Sequence, residues 1–146
     1  MMKIGVVSKR AGVSVGTLRY YEKLGLVQPL QRSENGYRYY DKNVIQRILF
    51  IRKAQALQFS LADIKQILTI REQGYPACAK VKELLNQKIY QLNIQIQQLN
   101  EFRVELEQYQ TRWSERPLDQ PESLILCSLI DEVQNYTREH LLTSFN

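Results

Sequence analysis

Between Pro76 and Arg112 no glycine or proline interrupts the chain, and Leu85, Leu92, Leu99 and Leu106 recur every seven residues. Trp113 takes the next place, and Ile89 and Ile96 fill the complementary position until Arg103 and Gln110 replace them. An apolar pair repeating at that period draws one stripe along a helix, and about four such repeats make a coiled-coil seam. At 1.5 Å per residue the helix is roughly 50–55 Å long. The chain holds no second long helix to cover the stripe. Self-association through Leu85, Ile89, Leu92, Ile96, Leu99 and Leu106 is therefore expected.

The charge is divided between two ends. Residues 1–60 hold eleven Lys/Arg against three Asp/Glu, a net +8, and residues 61–146 hold nine against twelve, a net −3. Those halves sum to the overall +5. A basic head on an acidic body is the asymmetry of a protein whose one end faces a polyanion.

Helix signals organise that head. Ile4–Ala11 reads as a short helix with Val6 and Val7 inward, ended by Gly12. Ser14 caps a second helix to about Leu24, with Gly25 just past its end. Two short helices joined through Gly12-Val13 form a helix-turn-helix pattern. Gln28-Pro29 breaks the helical pattern and Asn35-Gly36 marks a tight turn, so extended pieces near Val27–Gln31 and Tyr37–Tyr39 are expected to pair as a β-hairpin wing. Asp41 is placed as the cap of a third helix, Lys42 to about Leu57, with Tyr40 and Ile45 as a hydrophobic staple. Ser60 and Asp63 form a capping box for a fourth, flanked by Phe59 and Ile64 and ending near Gly74. Pro76 suits the first position of the long helix. Beyond it come a polar loop, Ser114–Gln120, and a short apolar helix at about Glu122–Tyr136.

The fold class is thus mainly α: a winged helix-turn-helix over residues 1–75, a dimerisation coiled-coil helix over 76–113, and a loop, short helix and tail over 114–146. No apolar run approaches the ~20 residues of a membrane span. The start lacks a secretory signal pattern, and two cysteines are too few for a disulfide framework. A cytoplasmic location without membrane contact is expected. There is no phosphate-binding glycine loop, no nucleophile elbow and no clustered His/Asp/Glu set, so an enzyme is not expected.

Two basic, aromatic segments lie close together in the head, LRYYE on the second helix and GYRYY on the wing. That is what a duplex-DNA reader needs: one surface to enter a groove and another to grip phosphates. The strings IGVVSKRAGVSVGTLRYYEKLGLVQP, NGYRYY and FSLADIKQIL resemble the MerR family of bacterial transcriptional regulators over about residues 3–74. The pairing of LRYYE with GYRYY at this spacing is highly specific to it. The resemblance implies that the helix begun by Ser14 lies in the major groove, with Thr17 and Arg19 on its early turns and Tyr20 offering its hydroxyl to a phosphate. It makes Arg38 the main phosphate clamp of the wing, beside Tyr37 or Tyr39, with Lys42, Arg47 and Arg52 extending the basic track. About half of the tyrosines should form core, Tyr21 among them. It also implies an antiparallel coiled coil in a homodimer. The target is double-stranded promoter DNA with overlong spacing, which is bent and untwisted when an effector is sensed, and RNA polymerase is the functional partner.

Metal-sensing members of that family carry a cysteine near the start of the long helix and others in the loop after it. Cys78 matches the first position and Cys127 the last. Where those relatives have a further cysteine at the start of the loop, this chain reads RWSERP. The length of the helix argues against pairing within one chain, whereas in an antiparallel dimer Cys78 meets Cys127 of the partner. Two thiolates suit a thiophilic ion such as Hg(II) or Cu(I), and added ligands would suit Zn(II); they also suit an inter-subunit disulfide. Asp119, Glu122 and Glu115 are candidate oxygen ligands, and His140 is assigned no role. The alternatives are an organic effector with no cysteine role, each cysteine then being a small core residue, or a coiled-coil adaptor that binds protein with its basic head.

Overall fold

The computed structural model describes residues 1–134. The end of the expected last helix at Tyr136, and His140, lie outside the described residues. The chain forms two compact units, the first from Met1 to Lys88 and the second beginning at Ile89.

In the first unit, α1 (Ile4–Ala11) and α2 (Val15–Lys23) form the helix-turn-helix. Gly12 makes the turn in the left-handed region, at φ 67°, where a side chain would clash with its own carbonyl. Ser14 then caps α2, its Oγ accepting from the Thr17 backbone N–H at 3.0 Å. Val7 is fully buried, but Val6 points outward at 42% exposure. On a helix, consecutive residues lie about 100° apart, so only one of the two valines can face the core.

The wing has three strands rather than two. Besides β2 (Gln31–Arg32) and β3 (Arg38–Tyr40), β1 (Met2–Lys3) joins the sheet, in the order β1-β3-β2 with both pairings antiparallel. Met2 lies opposite Tyr40, and Arg32 opposite Arg38. The first of the two expected extended pieces is displaced towards the turn, since Leu26 and Val27 are buried in the core instead of forming a strand.

Helix α3 (Val44–Ala56) begins two residues later than expected. Asp41 does not cap it: its carboxylate accepts from Asn43 Nδ2, and its backbone carbonyl closes a turn onto the Val44 N–H. Helix α4 (Leu61–Glu72) starts with the expected capping box, Ser60 and Asp63 each bonding the other's backbone N–H. Phe59 and Ile64 beside it are buried. Helix α5 (Cys78–Trp113) is continuous over 36 residues. It starts two residues after Pro76, with the Ala77 carbonyl taking the Val81 N–H.

One core holds the first unit together. Val7, Leu18, Leu26, Ile48, Ile51 and Ile64 are fully covered, along with Tyr40. Leu84 of α5 belongs to this core, whereas its neighbour Leu85 faces outward with the seam. Among the described residues, no helix is long and apolar enough to cross a membrane.

Among the described residues of the second unit, α5 leads into an irregular segment and then a short helix, α6 (Ser128–Asp131). The helix expected from Glu122 is cut to this turn. Pro117 and Pro121 interrupt the approach, and Asp119 accepts the Ser128 N–H at the start of α6. Leu124 and Leu126 are left wholly exposed.

Candidate nucleic-acid interface

Helix α2 sorts its residues by face. Leu18 and Tyr21 go into the core, while Gly16, Arg19, Tyr20 and Lys23 are exposed. Those four fall at the i, i+3, i+4 and i+7 positions, which share one side of a helix. The outward stripe therefore has a small residue at its N-terminal end, then two cations and a phenol. Ser14 and Thr17 sit at the head of that stripe, their hydroxyls 2.8 Å apart.

The tyrosines divide as their surroundings dictate. Tyr21 is buried and donates its hydroxyl to Gln55 Oε1 at 2.7 Å, and burial pushes its phenol above the ordinary range. Tyr40 is fully buried and donates to Glu22 Oε2 at 3.1 Å. Tyr39 is half-buried, and Tyr20 and Tyr37 are exposed. Lys3 reaches from β1 over the Tyr37 ring, 5.5 Å from its centroid, a cation–π contact on the outer side of the wing.

Several arginines of the basic head also hold partners within the chain. Arg38 is half-buried, its Nε 2.9 Å from Glu22 Oε2. Arg32 Nη2 reaches the same carboxylate at 2.6 Å. Arg47 donates through Nε to the Leu26 carbonyl and through Nη2 to Glu72 at 2.6 Å, tying α3 to α4 and to the segment after α2. Arg52 Nη1 donates to the Gly12 carbonyl at 3.0 Å, satisfying an acceptor at the end of α1. Lys42 is exposed in the turn before α3. Two residues that matter here escaped the sequence reading. Lys23 extends the outward stripe, and its spacing of four from Arg19 was there to be read. Glu22 holds the two wing arginines; it is the one carboxylate among the first 33 residues, and that isolation was its signal.

The cysteines lie in different units. Cys78 is exposed in the first turn of α5, and Cys127 is half-buried at the N-terminal cap position of α6. Cys127 is held in place rather than packed in a core. The Ser128 backbone N–H and hydroxyl both donate to Asp119, holding its carboxyl below the usual carboxylate range. Nearby, Glu132 accepts from Arg116 and from Trp113 Nε1, the latter at 2.9 Å, and Trp113 lies against Tyr109 with ring centroids 4.8 Å apart. Glu115 and Glu122 are exposed. Among the described residues of one chain, no group of three or more His, Cys, Asp or Glu converges on a metal position.

Along α5 the six seam residues Leu85, Ile89, Leu92, Ile96, Leu99 and Leu106 are between 41% and 57% exposed. They form an apolar stripe that nothing among the described residues covers.

Comparison with known proteins agrees with this geometry. Residues 2–69 match the family model described as MerR HTH family regulatory protein, and residues 45–109 match the model described as MerR, DNA binding. A probable heavy metal-dependent transcriptional regulator of Haemophilus influenzae is 38% identical over 128 residues, covering 88% of this chain and 98% of that protein. The HTH-type transcriptional regulator ZntR of Escherichia coli is 30% identical over 135 residues, covering 92% and 93%. The crystal structure of the transcription regulator PbrR691 from Ralstonia metallidurans in complex with lead(II) superposes with a TM-score of 0.72 at 32% identity, covering 90% of this chain and 98% of that one. These relatives are transcriptional regulators rather than enzymes. The chain belongs to the MerR family of DNA-binding transcriptional regulators.

Proposed function

We propose that this chain is a cytoplasmic, homodimeric regulator that reads promoter DNA with α2 and the wing. It distorts that DNA, with RNA polymerase at the same promoter, when a thiophilic ion or a thiol oxidant engages Cys78 and Cys127 across the dimer. The observation that carries the reading is the outward stripe of Arg19, Tyr20 and Lys23 on a capped helix whose opposite face is locked into the core. A helix presented in this way offers hydrogen-bond donors to base edges and phosphates without disturbing its own packing. Ser14, Thr17, Tyr37, Tyr39 and Lys42 supply further polar contacts, while Arg38 and Arg47 act first as internal ties.

The uncovered α5 seam supports the dimer, since an exposed apolar stripe of that length needs a partner. The heavy-metal-dependent relative and the lead(II)-bound structure support a metal effector. The residues fit one only in part: each chain offers two thiols, in different units, and among the described residues no three potential ligands converge. A soft ion held by thiolates of two subunits fits that donor set.

The test of DNA reading uses duplexes enriched by the protein from a random-sequence library. Binding should fall steeply with salt, and Arg19→Ala should weaken it by at least ~1 kcal/mol, about fivefold. Failure to enrich any duplex rejects the reading in favour of a protein-binding adaptor. For the effector, Cys78→Ser and Cys127→Ser should abolish induction by Hg(II), Cu(I), Zn(II), Pb(II) or an oxidant in a reporter assay, with DNA affinity unchanged. Full response in both variants excludes thiol sensing and favours an organic effector.

A further inference from the structure

Glu22 lies on the last turn of α2, in the most basic part of the chain, with its side chain only 12% exposed. Its Oε1 accepts from Arg32 Nη2 at 2.6 Å, and Arg38 Nε sits 3.2 Å from Oε1 and 2.9 Å from Oε2. Its Oε2 also accepts from the Tyr40 hydroxyl at 3.1 Å. Arg32 is on β2, and Arg38 and Tyr40 are on β3, with Arg32 and Arg38 directly opposite each other in the sheet. One carboxylate therefore joins the helix to two adjacent strands of the wing through three donors. Burial first, and then the neighbouring Glu22 carboxylate, push the Tyr40 phenol up to about 12, so that it remains a donor throughout the neutral range. A largely covered carboxylate satisfied by two guanidinium groups and a hydroxyl is held in one geometry, and losing its charge would weaken the acceptor those donors share.

We infer that Glu22 is a positioning residue for DNA recognition, which clamps the wing onto the recognition helix so that both meet the duplex as one rigid surface. The inference rests on the DNA-binding reading above. It makes a prediction of unusual sign. For a protein facing a polyanion, deleting a carboxylate and releasing two arginines should tighten binding by charge alone. The clamp requires the opposite for a specific site: without it the wing is no longer fixed on α2, and the ordering is deferred to the binding event at a cost in affinity.

The experiment compares the full-length protein with Glu22→Gln and Tyr40→Phe. Each is titrated onto a duplex enriched by the parent protein and onto a scrambled duplex of the same composition, with melting temperature recorded in parallel. Glu22→Gln is expected to bind the enriched duplex at least tenfold more weakly, while its affinity for the scrambled duplex is unchanged or rises. General unfolding would instead lower both. Tyr40→Phe changes no charge and fills the same space; it is expected to lose about threefold on the enriched duplex only. If Glu22→Gln does not fold, Tyr40→Phe alone decides. Glu22→Gln binding the enriched duplex as tightly as the parent, or more tightly, overturns the inference, as does an unchanged affinity in Tyr40→Phe. If the parent enriches no duplex, the DNA-binding reading fails and the inference with it.

Discussion

Leu92→Glu is expected to convert the protein into a monomer and to lower its affinity for an enriched operator duplex by about a hundredfold or more. Leu92 stands within the α5 stripe, with Ile89 and Ile96 on either side, and all three are exposed along a helix that no other described residue covers there. A glutamate there would be buried against apolar neighbours in a dimer, and two would face each other's seam, which costs several kcal/mol. Once the protomers separate, each basic head binds alone. The second contact is no longer intramolecular, and avidity gains of about 10²–10⁴ disappear. Sedimentation equilibrium alongside a DNA titration measures both effects. A Leu92→Glu protein that stays dimeric would show that the subunits associate by another surface.

Ile48→Ala carries the largest expected effect on folding, a loss of about 2–5 kcal/mol read from urea or thermal unfolding. Ile48 is wholly buried on α3, within the same core as Val7, Leu18, Ile51 and Ile64. The close packing of that core leaves the truncated side chain as a cavity rather than a gap that neighbours can close. The unit it supports is small, and total stabilities are only ~5–15 kcal/mol, so such a loss brings the head near its unfolding limit. Val6→Ala is the control, since Val6 faces outward. A loss below ~1 kcal/mol in Ile48→Ala would mean that α3 does not anchor the core.

These expectations depend on features of very different visibility in the chain. Gly12, Ser14, Gly25, Ser60 and Asp63 act on backbone groups a few residues away, so the ends of α1, α2 and α4 could be read directly. The late start of α3 could not, because Asp41 spends its carboxylate on Asn43 instead of on a helical N–H. Strand β1 is two residues long and pairs with residues nearly forty positions away, which no local periodicity records. In the interface, arginines announce charge but not their partners. Arg38, Arg47 and Arg52 each looked like a phosphate ligand, and each is engaged within the head by an acceptor from a different element. The seam was legible because its repeat persists for several turns, yet the same repeat gave no hint that Leu84 would face the core. The apolar run Leu124–Ile130 reads as a buried helix, yet Leu124 and Leu126 are wholly exposed and only Cys127 to Leu129 are half-buried.

The pairing of Trp113 with Tyr109 on one side and Glu132 on the other has a practical consequence. Trp113 is the single tryptophan of the chain, and its indole is bonded to the segment that carries Cys127. Any rearrangement of that segment changes the polarity and quenching around one fluorophore. The chain thus carries a built-in optical probe, and if the proposed effector engages Cys127, its arrival is expected to change the intrinsic emission of unlabelled protein.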